Sequence, residues 1–116
     1  MQILLASAKI MNSTKTVQTP NTQLPRFQKE AGQMALELAE LSVDKLAKTI
    51  LCNEKIALEN KLRYQDFFNE EALLPAILAY YGQAYKCLKA KEYSLNDFSY
   101  ANKHLWITSF LYGLLR

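Results

Sequence analysis

Leu111-Tyr112-Gly113-Leu114-Leu115-Arg116 is an apolar run with no polar tail, no cap and no frayed end. Domain termini are usually polar and poorly ordered unless docked. A chain closing in this way is expected to be the N-terminal half of a larger single domain, with residues 1–116 an incomplete unit. The composition is globular: half the residues are apolar, Gly and Pro number 3 each and 22% are charged. One Trp, 7 Tyr and 5 Phe offer aromatic bulk for a core. A chain of 116 residues buries roughly two-thirds of its unfolded surface.

The net charge of +3, from 14 Lys and Arg against 11 Asp and Glu, permits a polyanionic partner. It is far from the dense basic stripe that would demand one. Cys52 and Cys87 lie far apart with no CxxC pair, which predicts reduced thiols in a cytoplasmic protein. The apolar start, Met1-Gln2-Ile3-Leu4-Leu5, lacks a basic segment and is too short for a signal sequence. Nothing approaches the length of a membrane span, so no membrane partner is expected.

The patterning predicts a mixed α/β (α+β) chain, rich in helix, with short strands near 2–6, 76–85 and 105–110. Ile3 to Ala6 is a continuous apolar run, as in a buried strand. Residues 11–24 are polar and predict a loop. Pro25 sets φ for a first helical turn. Phe27, Ala31, Met34, Ala35, Leu38 and Leu41 then share one helical face. Ser42 is an N-cap for a second helix carrying Val43, Leu46, Ala47, Ile50 and Leu51. A polar turn leads to a third, about Lys55 to Phe67, whose stripe of Ile56, Asn60, Arg63 and Phe67 sets an amide and a guanidinium between apolar anchors. Either the Arg63 stem packs with its head in water, or the pair forms a small polar site facing a cleft. Ala76 to Tyr85 predicts a strand, with Pro75 at its start and Gly82 as a bulge or point of close backbone approach. Ser94-Leu95-Asn96-Asp97 predicts a capping box, and Leu105 to Phe110 a further strand.

Catalytic signatures are sparse. His104 and two distant cysteines assemble no obvious zinc site, so no metal or cofactor is expected. Gly32, Gly82 and Gly113 are isolated, with no phosphate loop and no GxSxG elbow. Glu70-Glu71 predicts a solvated helix start. This chemistry argues against a self-contained enzyme in the segment.

Four motifs in order carry a resemblance. Leu5-Ala6-Ser7-Ala8-Lys9-Ile10 follows the first strand; Asn60 and Arg63 form an Asn-x-x-Arg helix. Ala76-Ile77-Leu78-Ala79-Tyr80-Tyr81-Gly82-Gln83-Ala84-Tyr85 comes next. Asp97-Phe98, His104-Leu105 and Ser109 to Arg116 close the series. The chain resembles the YaaA peroxide-stress proteins along its whole length. It departs from the usual pattern at Ala6-Ser7, Ile10, Tyr81, Gln83, Trp106 and Phe110, each change removing a polar or flexible group. The resemblance implies a bacterial cytoplasmic protein of about twice this length that limits free iron and oxidative DNA damage. It also implies double-stranded DNA as a partner, bound through a helix-hairpin-helix element, for which Val43 to Asp66 is the natural candidate. Asn53 in the turn is able to adopt the left-handed conformation, and Glu54 would repel a phosphate.

Three readings follow. In the first, a nucleic-acid-binding stress protein contacts phosphates through Lys9, Arg63, Lys86 and Lys89. In the second, an enzyme uses Lys9 as base or phosphate holder, with Asn60, Arg63 and Tyr85 orienting an anionic substrate. In the third, the chain is a non-functional or interacting fragment that needs the missing half of its domain. For Lys86 and Lys89 the alternative is a solvated face.

Overall fold

The computed structural model of the chain describes residues 1–11, 22–68 and 74–116. The expected loop at 11–24 falls mostly outside these residues, as does the Glu70-Glu71 pair.

Three helices form the first layer. Helix α1 (Gln28–Glu40) buries Ala31, Ala35 and Leu38, the apolar face read from the sequence. Pro25 stands ahead of the helix instead of inside its first turn. Helix α2 (Val43–Ile50) starts as predicted at Ser42, whose Oγ accepts from the Lys45 N–H at 3.3 Å. Helix α3 (Glu54–Gln65) is capped by Asn53, whose Oδ1 accepts from the Ile56 N–H at 2.9 Å. The left-handed residue of this turn is therefore not Asn53 but Leu51, at φ 55° and ψ 56°. Asn53 is extended because its side chain is committed to the cap. Leu38, Leu46, Ala47 and Ala57 close a core between the three helices, with Leu41, Val43, Ile50, Tyr64 and Leu111 against it. Small Ala47 and Ala57 let α2 and α3 approach closely.

The predicted strand over 76–85 is not formed. Helix α4 (Ala76–Ala79) follows Pro75, whose carbonyl accepts from the N–H groups of Leu78 and Ala79, both at 2.9 Å. Gly82 precedes helix α5 (Gln83–Leu88), which ends at left-handed Lys89 and runs into a 3-10 turn over Ala90–Glu92. Of the expected strand only a single antiparallel bridge survives, Met11 with Tyr80. A short apolar run does not separate strand from buried helix by periodicity. Here Ala and Leu favour helix, and Leu78 and Tyr80 are drawn to different clusters: Leu78 to Ala90 and Phe98, Tyr80 to Tyr85 and Ile107. The expected close approach at Gly82 does occur. A Cβ there would lie 2.9 Å from the Cβ of Ala8.

The sheet has the order β1-β2-β3. Strand β1 (Ile3–Ala6) pairs in parallel with β2 (Leu105–Ser109), and β2 pairs antiparallel with β3 (Gly113–Leu115), a strand the sequence pattern did not announce. Helix α6 (Leu95–His104) feeds directly into β2. Its capping box is formed as predicted: Ser94 Oγ accepts from Asp97 N–H, and Asp97 accepts from Ser94 N–H at 2.8 Å. The β2–β3 turn folds over Ser109 Oγ, which accepts from the N–H groups of Leu111 and Tyr112 at 3.3 and 3.1 Å. Gly113 has φ +77°, and a Cβ there would sit 3.1 Å from the Phe27 ring. Leu5, Ile107 and Leu115 face inward against Tyr80 and Tyr85. No residue of β1 is fully buried, which corrects the expectation of a buried strand: Leu5, on the inner side, is half-buried, and Leu4, on the other, is 67% exposed.

Candidate functional site

The segment that follows β1, Ala6 to Met11, is held on three sides through its own backbone carbonyls. From α5, the Tyr85 hydroxyl donates to the Ala6 carbonyl at 2.5 Å. From α3, Asn60 Nδ2 donates to the Lys9 carbonyl at 3.4 Å and to Ile56 O at 2.8 Å. One turn on, Arg63 Nη2 donates to the Met11 carbonyl at 3.2 Å. The Tyr81 N–H closes the set, donating to the Ile10 carbonyl at 2.9 Å. Asn60 and Arg63 lie on one face of α3 because they are three residues apart.

The Arg63 head is not in water. Its Nη1 is buried and has no hydrogen-bond partner among the described residues. Asn60 is only 8% exposed, the one buried polar residue of the described core. Both side chains tie α3 to the segment, through the Lys9 and Met11 carbonyls.

The Lys9 side chain points outward. Its Nζ donates to the carbonyl of Leu51, at the turn between α2 and α3. The ammonium thus satisfies one of the orphan carbonyls at the C-terminal end of α2, where a cation is favoured. It also brings a positive charge to the tip of the α2–α3 hairpin.

Between the segment and α5 lies an open cleft of about 460 Å³, lined mainly by Leu5 to Ile10 on one wall and Gly82 to Tyr85 on the other. A second hollow of about 270 Å³ lies on the far side of Tyr85 and collects Lys86 and Lys89 with Tyr81, Lys91 and Glu92. Lys86 Nζ stands 4.7 Å from the centre of the Tyr81 ring, a cation–π contact. The structure therefore brings Lys9, Asn60, Arg63 and Tyr85 together around one segment. It places Lys86 and Lys89 in a neighbouring hollow and adds Lys91, whose signal was its two-residue spacing from Lys89. The carbonyl acceptors at Ala6, Ile10, Met11 and Leu51 leave no side-chain signature and were not legible in the sequence.

Burial raises the phenol pKa of Tyr85 to about 12, with help from neighbouring Tyr80. Burial also raises Tyr80, though the Ser109 hydroxyl opposes it. Tyr85 therefore stays protonated at physiological pH and works as a donor, not as a base. His104 has a structural role: its Nδ1–H donates to the Met1 carbonyl at 2.8 Å. Among the described residues no three His, Cys, Asp or Glu side chains gather to hold a metal ion. No described helix is long and apolar enough to cross a membrane.

The family model described as peroxide stress protein YaaA matches residues 1–116. The chain belongs to the YaaA peroxide-stress family. A UPF0246 protein of Bacteroides thetaiotaomicron is 50% identical over 117 residues, which cover 100% of this chain and 46% of the relative. UPF0246 proteins of Porphyromonas gingivalis and Desulfitobacterium hafniense are 38% and 34% identical, with the same coverage. The chain thus spans about half the length of the curated YaaA-family relatives it matches. Ala6, Ser7, Ile10 and Gln83 form parts of the cleft walls.

Proposed function

We propose that this chain serves a cytoplasmic peroxide-stress function, limiting free iron and oxidative DNA damage, and that it meets duplex DNA through the tip of its α2–α3 hairpin. The observation that carries the DNA reading is the position of Lys9, whose ammonium sits on the Leu51 carbonyl at that tip. Two helices packed through Leu46, Ala47 and Ala57 present their connecting turn to solvent, with Leu51 77% exposed. Left-handed Leu51 takes the role glycine usually has in such a turn. The Lys86, Lys89 and Lys91 hollow supplies further positive charge for a phosphate backbone.

Binding of this kind depends on counterion release and weakens steeply with salt. Fluorescence anisotropy with a duplex oligonucleotide between 50 and 200 mM salt, a range over which about 10³-fold or more is lost when several phosphates are contacted, is the direct test. Lys9→Ala is expected to weaken binding uniformly across sequences and to reduce the salt slope by about 1. Glu54→Gln, which removes the acidic group beside the turn, is expected to strengthen it. Binding indifferent to salt would sink the DNA reading. The iron reading is tested in a bacterial strain lacking its own family member, by measuring loosely bound iron under hydrogen peroxide. Failure of the chain, joined to a relative's remaining half, to lower it would overturn that part.

A second reading, an enzyme built on Lys9, draws support from the cleft of about 460 Å³ that Lys9 and Tyr85 both line. Lys9→Arg keeps the charge and removes the amine base, so retained duplex binding with retained peroxide resistance would favour DNA, and retained binding with lost resistance would favour catalysis.

A further inference from the structure

The outer face of the sheet carries Leu4, Trp106 and Leu114, with exposed Thr108 beside them on the middle strand. Strand residues alternate between faces, and the pairing aligns Leu4 with Trp106 and Thr108 with Leu114. Leu4, Trp106 and Leu114 therefore share the face turned away from Tyr80 and Tyr85. Leu4 is 67% and Leu114 43% exposed, and Trp106 is half-buried. Around them stand Gln2, whose Oε1 accepts from the Trp106 indole N–H at 2.8 Å, and Arg116, whose guanidinium lies 3.7 Å above the Trp106 ring. A tryptophan among exposed leucines, bordered by an arginine and an amide, has the composition of a protein interface.

Parallel strands occur almost only in sheets covered on both faces. Here β1 and β2 are parallel, the inner face is covered by Tyr80 and Tyr85, and the outer one is open at Leu4 and Leu114. The chain also accounts for only 46% of the length of the relative from Bacteroides thetaiotaomicron. We infer that the Leu4–Trp106–Leu114 face is the docking surface for the polypeptide that makes up the remaining part of the relatives' length. The contact is an apolar one over Leu4 and Leu114, with Trp106 and Arg116 as its anchors.

The test joins this chain to the remaining part of the Bacteroides thetaiotaomicron relative and compares the chimera with the chain alone by hydroxyl-radical footprinting. Leu4, Trp106 and Leu114 are expected to be oxidised several-fold more slowly in the chimera. The same oxidation in both would overturn the inference, as would a dimer of the chain alone in which these residues are already protected. A second arm uses Leu4→Asp with Leu114→Asp. In the chain alone both sites are exposed, so the melt should move by no more than about 2–4 °C and binding of a hydrophobic dye should fall. In the chimera the same pair would bury two carboxylates and should lower the melting temperature by more than about 5 °C. A chimera that tolerates the pair as well as the chain alone does would also overturn the assignment.

Discussion

Tyr85 joins two parts of the molecule through one hydroxyl. Its bond to the Ala6 carbonyl is the tie between α5 and the end of β1. Tyr85→Phe is expected to cost about 0.5–1.5 kcal/mol in urea unfolding while leaving the fold intact. The raised pKa adds a pH signature. A phenol whose folded pKa lies above its unfolded value contributes stability that is present below about pH 10 and is lost as pH rises toward about 12. Alkaline denaturation should therefore be steep over that window in the parent chain and shallower in Tyr85→Phe. Asp97 runs the other way. Hydrogen bonds from the Ser94 hydroxyl and N–H hold its carboxyl below the usual range, so its contribution is present above about pH 4 and fades as pH falls through the lowered value. The stability difference between the parent and Asp97→Asn should vanish in acid.

At the scale of elements, two backbone positions decide how the pieces meet. Leu51 holds the left-handed conformation at φ 55° with its side chain mostly in water. A left-handed residue with a Cβ costs about 1–2 kcal/mol, and glycine's greater freedom in the unfolded chain returns part of any gain. Leu51→Gly is thus expected to stabilise the chain by up to about 1 kcal/mol, measured by chemical denaturation. Gly82 is constrained by contact, since a Cβ would press on Ala8 at 2.9 Å. Gly82→Ala should force α5 away from the Ala6–Met11 segment, cost about 1–3 kcal/mol, and weaken the Tyr85 bond as well. Elements with strong local signals were legible in the sequence: the α1 face rests on helical periodicity, and the Ser42 cap and the Ser94–Asp97 box on contacts within one turn. The stretch over 76–85 was misread because its conformation is settled by distant partners, Phe98 for Leu78 and Ile107 for Tyr80. Strand β3 was missed for a similar reason, being three residues long and defined by pairing with β2. The candidate site was half legible. Asn60 and Arg63 stood out as polar groups at helical spacing and Tyr85 as a polar-tipped residue of an expected strand, whereas the carbonyls they serve are invisible in a string of side chains.

At the scale of the whole molecule, the helical layer and the sheet communicate through aromatic contacts around the β2–β3 turn. Phe67 stacks on Tyr112 at 5.8 Å, and Leu111 reaches the core between α1, α2 and α3. The helices are local structures, but the sheet is not. Strand β1 lies at the start of the chain, and its parallel partner β2 comes after every helix described. On a ribosome adding about 5–20 residues per second, the first strand waits roughly 5–20 s for its neighbour. Throughout that interval Ile3, Leu4 and Leu5 form an unpaired, apolar edge able to template pairing with other chains. The newborn chain is therefore open to misassembly at Ile3 to Leu5, and a chaperone that shields them until Leu105 to Ser109 emerge would protect the step on which the whole sheet depends.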